Sequence, residues 1–442
     1  MSTAPERGSL AKKIVHTFAT LLFGQGASIA AGIATAHAYG PAGKGVISFA
    51  GVLLTFAITT ADGIRDAVAF QIGRERRDPR AVWGTALQVM LALGPLGFAV
   101  FFVLWHLDSA RPSYLFAAIA FPFALYLQAA GVIYLLRDRI ERINVKNAAT
   151  IGGGSSILTL LLVLVFHASL WVVMWAWVGV FAIAALWATE GMRAMLGGSV
   201  LLGRTGLLRE QLVFAAKAAL SSNVTFLALR IDVFIVSALL SPGSLGIYTL
   251  ALGTGEVMWG VSRAVNWSTA GRVAMADFEE ASQLTARAVR SVVALQLLVA
   301  LVLFAAGPWL ITLVYGARFA PAGGVLRILL PGMIVYSADG LLSYFIAVRA
   351  ARPGLLLGLE CITLLVCGAV TLVSVKALGI YGGALADTIA YLISYVAKIA
   401  VFTRLSGRSV GEVLLPRGSD VPTWLRARLA RAFGRAGGRD ES

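Results

Sequence analysis

Apolar runs of about 20 residues alternate with short polar segments along the whole chain. A helix of about 20 residues crosses the ~30 Å hydrocarbon core of a bilayer, so each run predicts a membrane-spanning helix. The twelve runs cover residues 14–38, 46–70, 81–106, 114–136, 148–166, 169–188, 212–239, 246–270, 291–315, 325–348, 355–375 and 380–403. The pattern therefore predicts an all-α fold with twelve transmembrane helices.

Composition strengthens this prediction. Hydrophobic residues make up 58% of the 442-residue chain and charged residues only 13%, which is more apolar surface than a soluble core of this length can bury. Cys361 and Cys367 lie six residues apart in one apolar run, a spacing and setting that suit neither a disulfide nor a metal cluster. We expect a polytopic membrane protein with no metal and no cofactor.

Lysine and arginine are distributed unequally between alternate loops. One set of loops, with the two terminal segments, holds 27 of these residues, whereas the other set holds only four, Lys44, Arg111, Arg318 and Lys376. Because cytoplasmic loops carry the excess of basic residues, both termini are predicted to be cytoplasmic. The net charge of +15 is dispersed over these loops, so nucleic-acid binding is not expected.

Residues 409–442 form a basic tail after the last predicted span. In this tail Leu425, Leu429 and Phe433 fall on one helical face, and arginines surround the rest. The pattern predicts an amphipathic cytoplasmic helix that lies on anionic membrane lipids.

Two short segments of the chain repeat each other. Pro41 matches Pro242 and Gly45 matches Gly246 at an offset of 201 residues, in the turns that leave the first and the seventh span. A tight helical hairpin needs such residues, so Gly40, Pro41, Gly45 and Gly246 are expected to be structural. Because six spans, an even number, make up the repeat, the second copy enters the membrane in the same orientation. The repeat predicts two six-helix bundles, residues 1–206 and 207–408, related by a pseudo-two-fold axis along the membrane normal.

The repeated turns resemble those of a known superfamily of exporters. The strings that carry the resemblance are "YGPAGKGVISFA" from residue 39, "LRIDVFIVSAL" from residue 229 and "LGIY" from residue 245. The matching residues, in these strings and three positions after the last of them, are Gly40, Pro41, Gly43, Gly45, Ala50, Arg230, Asp232, Gly246, Tyr248 and Ala251. They are similar to the multidrug/oligosaccharidyl-lipid/polysaccharide (MOP) superfamily, and within it to the polysaccharide-transport branch of O-antigen-type flippases. The resemblance implies the helix arrangement of the multidrug (MATE) exporters of this superfamily.

Thirteen ionisable side chains fall within the predicted spans. They are Asp62, Arg65, Asp66, Lys217, Arg230, Asp232, Glu256, Arg263, Arg327, Asp339, Glu360, Asp387 and Lys398. Exposure of all of them to lipid would cost roughly 30–45 kcal/mol, at ~2.5–3.5 kcal/mol each near a helix centre. They must therefore face water or one another. Asp339 and Glu360, near helix ends, are expected to pair locally or to reach the headgroups.

Three arginines are the candidates for binding an anionic substrate. Arg65 and Arg263 correspond at an offset of 198 residues, so each half presents one arginine from its second helix. Arg230 shares a helix face with Asn223, whereas Asp232 lies on the opposite face and is predicted to be structural, paired with a basic residue nearby. A guanidinium in the membrane needs a carboxylate or an anionic ligand, so we predict a cationic cleft of Arg65, Arg230, Arg263 and Asn223. The alternative is that Arg65 and Arg263 snorkel to the inner headgroups.

Four charged residues are candidates for coupling transport to an ion. Glu256 lies seven residues before Arg263 and shares its helix face, where protonation would release or engage the arginine. Asp387 and Lys398 belong to a polar stripe of the twelfth predicted span. Asp62 belongs to a similar stripe of the second.

The resemblance implies a flippase that moves a polyprenyl-diphosphate-linked oligosaccharide across the bacterial cytoplasmic (inner) membrane by alternating access, for cell-surface polysaccharide synthesis. It also implies H⁺ or Na⁺ as a coupling ion and polysaccharide-assembly proteins as partners. The alternative is a MATE-type, cation-coupled exporter of drugs or metabolites. Outer loops of only about two to nine residues leave no room for a catalytic platform, and phosphate-binding loops, nucleophile elbows and HExxH patterns are absent from the sequence, so an enzyme is not expected.

Overall fold

A computed structural model of the protein describes residues 7–137, 139–150, 153–196 and 205–415. Its α-helices are α1 (Arg7–Gly73), α2 (Pro79–Leu107), α3 (Pro112–Leu136), α4 (Ile140–Thr150), α5 (Gly153–Leu164), α6 (Leu170–Leu196), α7 (Thr205–Leu239), α8 (Pro242–Met275), α9 (Phe278–Tyr315), α10 (Pro321–Tyr344), α11 (Pro353–Leu378), α12 (Ile380–Ser406) and α13 (Val410–Leu414). Every regular element of the described residues is a helix, which confirms the predicted all-α class. The predicted amphipathic helix around Leu425, Leu429 and Phe433 lies outside the described residues.

Ten helical segments of the described residues are long and apolar enough to cross a membrane. One of them, Phe23–Gly73, contains the first two predicted spans. The eighth predicted span corresponds to α8, which is not among these ten segments. Its mean hydropathy is lower because polar residues such as Glu256 and Arg263 interrupt it. Each predicted span therefore has a helix, and the chain is a multi-pass membrane protein.

The first two predicted spans are the two arms of α1, residues 7–39 and 41–73. Only Gly40 separates them, with φ 63° and ψ −168°, a conformation that L-residues with a side chain rarely adopt. Residues on both arms, within 28–35 and 44–58, line one cavity, so the arms lie side by side. The predicted loop between these spans is thus a one-residue turn, and Lys44 lies on a helix.

The chain forms two compact units that do not follow one another along the sequence. The first unit comprises Met1–Leu250, Trp309–Gly323 and Thr371–Gly383, and the second comprises Ala251–Pro308, Gly324–Val370 and Ala384–Ser442. In the first unit α1 packs on α7, where the rings of Phe70 and Phe214 stack at 5.0 Å. The bundle limits at residues 206 and 408 concern the sequence repeat and stay a prediction.

The two repeated turns meet within the first unit. A Cβ atom added to Gly45 would lie 1.9 Å from the carbonyl oxygen of Pro242, and one added to Gly246 would lie 2.0 Å from that of Pro41. Each glycine therefore touches the backbone of the proline in the other repeat. Small residues permit such close approach of helix backbones in membranes, which explains physically why glycine stands at both positions.

The core of the second unit lies among α9, α10 and α12. The rings of Phe345, just after α10, and Phe402 pack edge to face at 4.8 Å, and Val289 and Val413 are fully buried beside them. Helix α9 begins at Phe278, well before the predicted span at residue 291, because its first turns bury small side chains in this core.

Candidate functional site

Asp232 is fully buried in the first unit and bonds to Tyr248. The Tyr248 hydroxyl donates to Oδ2 of Asp232 at 2.5 Å, and Tyr248 is itself fully buried. A buried carboxylate is costly unless donors satisfy it. The bond joins α7 to α8, the helices on either side of the second repeated turn, and it supports the predicted structural role of Asp232.

We expect Tyr248→Phe to lower the free energy of unfolding by about 1.5–3 kcal/mol, the range for a hydrogen bond to a charged group. The ring remains, so packing is unchanged and only the donor to Asp232 is lost. Denaturant titration of the purified protein in detergent measures the effect. Tyr381→Phe is the matched control because Tyr381 is 40% exposed, and an equal loss in both variants would contradict the role of the Asp232 bond.

Arg65 lies between two carboxylates of its own helix. Its Nη1 is 2.6 Å from Oδ1 of Asp62, and its Nη2 is 2.9 Å from Oδ1 of Asp66. Asp62 also accepts a hydrogen bond from Nε2 of Gln128 at 2.8 Å, and the buried Lys146 interacts electrostatically with both Asp62 and Arg65. The Arg65 guanidinium therefore has local counter-charges in the first unit, the two carboxylates that helical spacing places on its own face.

Asn223 and Arg230 also belong to the first unit. The Asn223 side-chain oxygen accepts hydrogen bonds from the hydroxyls of Thr59 at 2.9 Å and Thr60 at 3.3 Å, so it ties α7 to the second arm of α1. Arg230 follows on the same helix and is half-buried. Asn223 thus has a packing role besides the predicted role in substrate binding.

Glu256 and Arg263 lie in the second unit, on α8. Glu256 is half-buried and Arg263 is exposed. The Arg263 Nε donates to the carbonyl of Trp259, one turn earlier, at 3.4 Å, and no carboxylate among the described side chains pairs with it. Arg263 therefore differs from Arg65. The convergence of Arg65, Arg230 and Arg263 on one cleft stays a prediction.

Lys398 is fully buried in the second unit between two carboxylates. Its Nζ is 2.5 Å from Oδ2 of Asp339 and 2.7 Å from Oε1 of Glu360, and Ser394 donates to the other oxygen of Asp339 at 3.2 Å. We call Asp339, Glu360 and Lys398 the Lys398 triad. It confirms the expected local pairing of Asp339 and Glu360, which join α10 and α11 to α12.

Asp387 lies on the same buried face of α12, with the thiol of Cys367 at 3.6 Å from its Oδ1. Its exposed fraction is 1%. The polar stripe of the twelfth predicted span therefore faces the interior of the second unit, where its members meet side chains of α10 and α11.

Two lysines that the sequence pattern assigned to loops lie on helices, the half-buried Lys44 and the buried Lys146. Lys44 lies on the second arm of α1, because the turn before it is one residue long, and Lys146 lies on α4 with 5% exposure. Lys146 donates to the carbonyl of Leu127 at 3.4 Å. Runs of about 20 residues place helix ends only to within a few positions, so a lysine near a predicted end can belong to the helix.

Comparison of the sequence with protein-family models and with curated proteins gave no match. Solved structures do match. An inward-facing multidrug resistance MATE family transporter of the MOP superfamily is 14% identical with a TM-score of 0.68, over 87% of this chain and 96% of that one. The lipid II flippase MurJ in an inward closed conformation is 13% identical with a TM-score of 0.69, over 90% of each chain. A MOP superfamily transporter from Pyrococcus furiosus, described as having a binding pocket of reverse polarity, is 14% identical with a TM-score of 0.60, over 90% of this chain and 97% of that one.

These matches define the class of the protein, an α-helical multi-pass membrane protein. Its fold resembles that of the MOP superfamily transporters, which agrees with the MATE-like helix arrangement that the repeated turns implied. At 13–14% identity the likeness is one of fold, and the substrate has to be argued from the residues of this chain.

Proposed function

We propose that the protein is a membrane transporter that flips a polyprenyl-diphosphate-linked oligosaccharide from the inner to the outer leaflet of the bacterial cytoplasmic membrane. It would do so by alternating access, with both termini in the cytoplasm, and would supply cell-surface polysaccharide synthesis. The observation that carries this proposal is Arg263, an exposed arginine within a membrane-spanning helix that has no carboxylate partner among the described side chains.

The environment of Arg263 argues for an anionic ligand. A cationic side chain in a membrane helix costs up to ~2.5–3.5 kcal/mol, the value at the helix centre, unless water, a lipid headgroup, a carboxylate or a bound anion satisfies it. A diphosphate suits it because the planar guanidinium binds two phosphate oxygens at once. Arg230 and Arg65 are the further candidates for this contact, and Arg65 has Asp62 and Asp66 beside it.

Coupling is proposed to involve H⁺ or Na⁺ and the carboxylate of Glu256. Glu256 precedes Arg263 by two helical turns on the same face of α8, so its charge changes the field at the arginine. Asp62 is a further candidate, since it lies beside Arg65 and 18% of its side chain is exposed.

A cation-coupled exporter of drugs or metabolites is the second candidate function. The likeness in fold to a multidrug resistance MATE transporter favours it, as do the two carboxylates beside Arg65, which are suited to a cation. The two functions differ in the charge of the substrate, so one assay separates them.

The test uses vesicles that contain the purified protein and a fluorescent polyprenyl-diphosphate disaccharide. An impermeant quencher added outside reports how fast the lipid moves between leaflets. We expect the wild-type protein to move the lipid, Arg263→Ala to slow it by at least ~10-fold, and Arg263→Lys to restore it only in part, because lysine keeps the charge but loses the two-pronged contact.

Arg272→Ala is the matched control, because Arg272 is exposed in the last turn of the same helix. It is expected to leave the rate unchanged. Movement of a cationic dye under a proton or sodium gradient, with no movement of the lipid, would refute the flippase and favour the exporter.

A further inference from the structure

The first unit contains a cavity that the proposed function does not use. Its volume is about 260 Å³, and both arms of α1 line it together with α5 and α6. This is slightly smaller than the ~300–1,000 Å³ of pockets for drug-sized ligands. The cavity therefore has room for a group of about the size of one sugar ring.

Among the described residues that line this cavity, Lys44 alone carries a positive charge. A methyl group on Gly32, across the turn, would lie 3.5 Å from Nζ of Lys44, which places the ammonium group between the two arms of α1. No carboxylate of the described side chains pairs with it, in contrast to Lys398 and Arg65. An ammonium group in such a place is stabilised by an anion.

Three threonine hydroxyls of the cavity use their hydrogens within their own helices, and one of them, Thr159, also accepts a hydrogen bond from Trp177. Thr35 donates to the carbonyl of Ala31, Thr55 to that of Gly51 and Thr159 to that of Ser155, each at 2.8 Å. Each hydroxyl has a single hydrogen, which these bonds use, so what remains for a ligand is oxygen lone pairs. The lining therefore combines one cation with several acceptors, and it suits a ligand that carries an anionic group and several O–H donors.

Trp177 provides a flat apolar wall. Its Nε1 donates to the Thr159 hydroxyl at 2.8 Å, and its ring packs edge to face on Phe116 at 6.2 Å. These contacts fix the orientation of the indole and occupy its only donor. The ring thus offers an apolar surface without a competing polar group, as the C–H face of a sugar ring requires.

We infer that this cavity binds a hydroxylated carboxylate of monosaccharide size, with the carboxylate on Lys44, the hydroxyls on the threonine oxygens and the ring against Trp177. Two sources have this chemistry, an acidic sugar of a lipid-linked glycan and a free sugar acid. The first source rests on the proposed flippase function. The binding site itself does not.

Calorimetric titration of the purified full-length protein with glucuronate, glucose and inorganic phosphate tests the site. We expect glucuronate to bind at least ~10-fold more tightly than glucose, and Lys44→Met to remove this preference, because the charge-assisted bond is lost. Failure of the wild-type protein to bind glucuronate, or equal binding by Lys44→Met, would overturn the inference. Phosphate binding in place of glucuronate would overturn it as well.

A second pair of variants guards against misfolding of Lys44→Met. Gly51 and Gly179 both have open space where a side chain would begin, but only Gly51 lines the cavity. Gly51→Leu is expected to fill the cavity and abolish glucuronate binding, whereas Gly179→Leu is expected to bind like the wild type. Unchanged glucuronate binding by Gly51→Leu would place the ligand elsewhere and refute the site.

The vesicle assay separates the two sources of ligand. If the lipid-linked glycan is the source, Lys44→Met slows the movement of a lipid-linked disaccharide that contains glucuronic acid but not of its glucose analogue. If the free sugar acid is the source, the variant loses glucuronate binding and moves both lipids normally. If the wild-type protein binds glucuronate but neither it nor the variant moves either lipid, the flippase function is refuted and the binding site in the cavity is retained.

Discussion

Replacing Lys398 with methionine is expected to lower the free energy of unfolding by about 3–5 kcal/mol, because it leaves two buried carboxylates without a counter-charge. Lys398 is fully buried, and its ammonium group contacts Asp339 at 2.5 Å and Glu360 at 2.7 Å. Methionine has nearly the same length, so the change removes the charge and little volume. Denaturant titration in detergent, followed by the loss of helical signal, measures the difference.

Two further variants of the protein serve as controls for this test. Lys376→Met changes an exposed lysine of α11 and is expected to alter stability by no more than about 0.5 kcal/mol. Neutralising both partners as well, in Lys398→Met/Asp339→Asn/Glu360→Gln, is expected to recover most of the loss, because no uncompensated charge then remains. If Lys398→Met alone is as stable as the wild type, the ammonium group is not the counter-charge of these carboxylates.

Gly45→Ala and Gly246→Ala are each expected to cost about 3 kcal/mol, the upper end of the range for overpacking. The new methyl group would lie 1.9 Å from the Pro242 carbonyl oxygen in the first variant and 2.0 Å from that of Pro41 in the second. Backbone atoms cannot rotate out of the way as a side chain can, so the two turns must separate. The thermal unfolding of the purified variants and their yield in the membrane report the loss.

Gly243→Ala is the control for these two variants, because it adds the same methyl group to the same turn without a clash. Its nearest neighbours lie at 3.8–4.0 Å, which is ordinary contact, so a change of no more than about 0.5 kcal/mol is expected. The Gly45→Ala/Gly246→Ala double variant is expected to lose less stability than the sum of the losses of the two single variants. The reason is that both changes open the same interface. Strict additivity would mean that the two turns do not share a contact.

The fold was predictable because a bilayer imposes one dominant constraint. Backbone polar groups in lipid must be satisfied within the helix, so each apolar run of spanning length became a helix. The boundaries were harder, because they depend on tertiary contacts. The reversal at Gly40 takes one residue, and α9 starts at Phe278 because small side chains of its first turns pack into the second unit.

The sequence predicted which charged residues lie within the helices, but not which residues of neighbouring helices they contact. Helical spacing correctly grouped Asp62 with Arg65, and local pairing was expected for Asp339 and Glu360. Spacing along one helix carries no information about neighbouring helices, so the contact of Lys398 with both of these carboxylates could not be foreseen. The helical position of Lys44 was not predicted for a different reason. Lys44 follows Gly40 by four residues and is assigned to a loop unless the turn is known to take only one residue.

The contact between the two repeated turns has a consequence for biosynthesis. Gly45 and Gly246 lie 201 positions apart in the sequence, yet each packs against the backbone of the other turn. Synthesis at ~5–20 residues per second delivers the second turn about 10–40 s after the first. During that interval the first turn lacks the second turn as its packing partner. A chaperone or the insertion machinery has time to bind the first turn, and the arrival of α8 would then displace it.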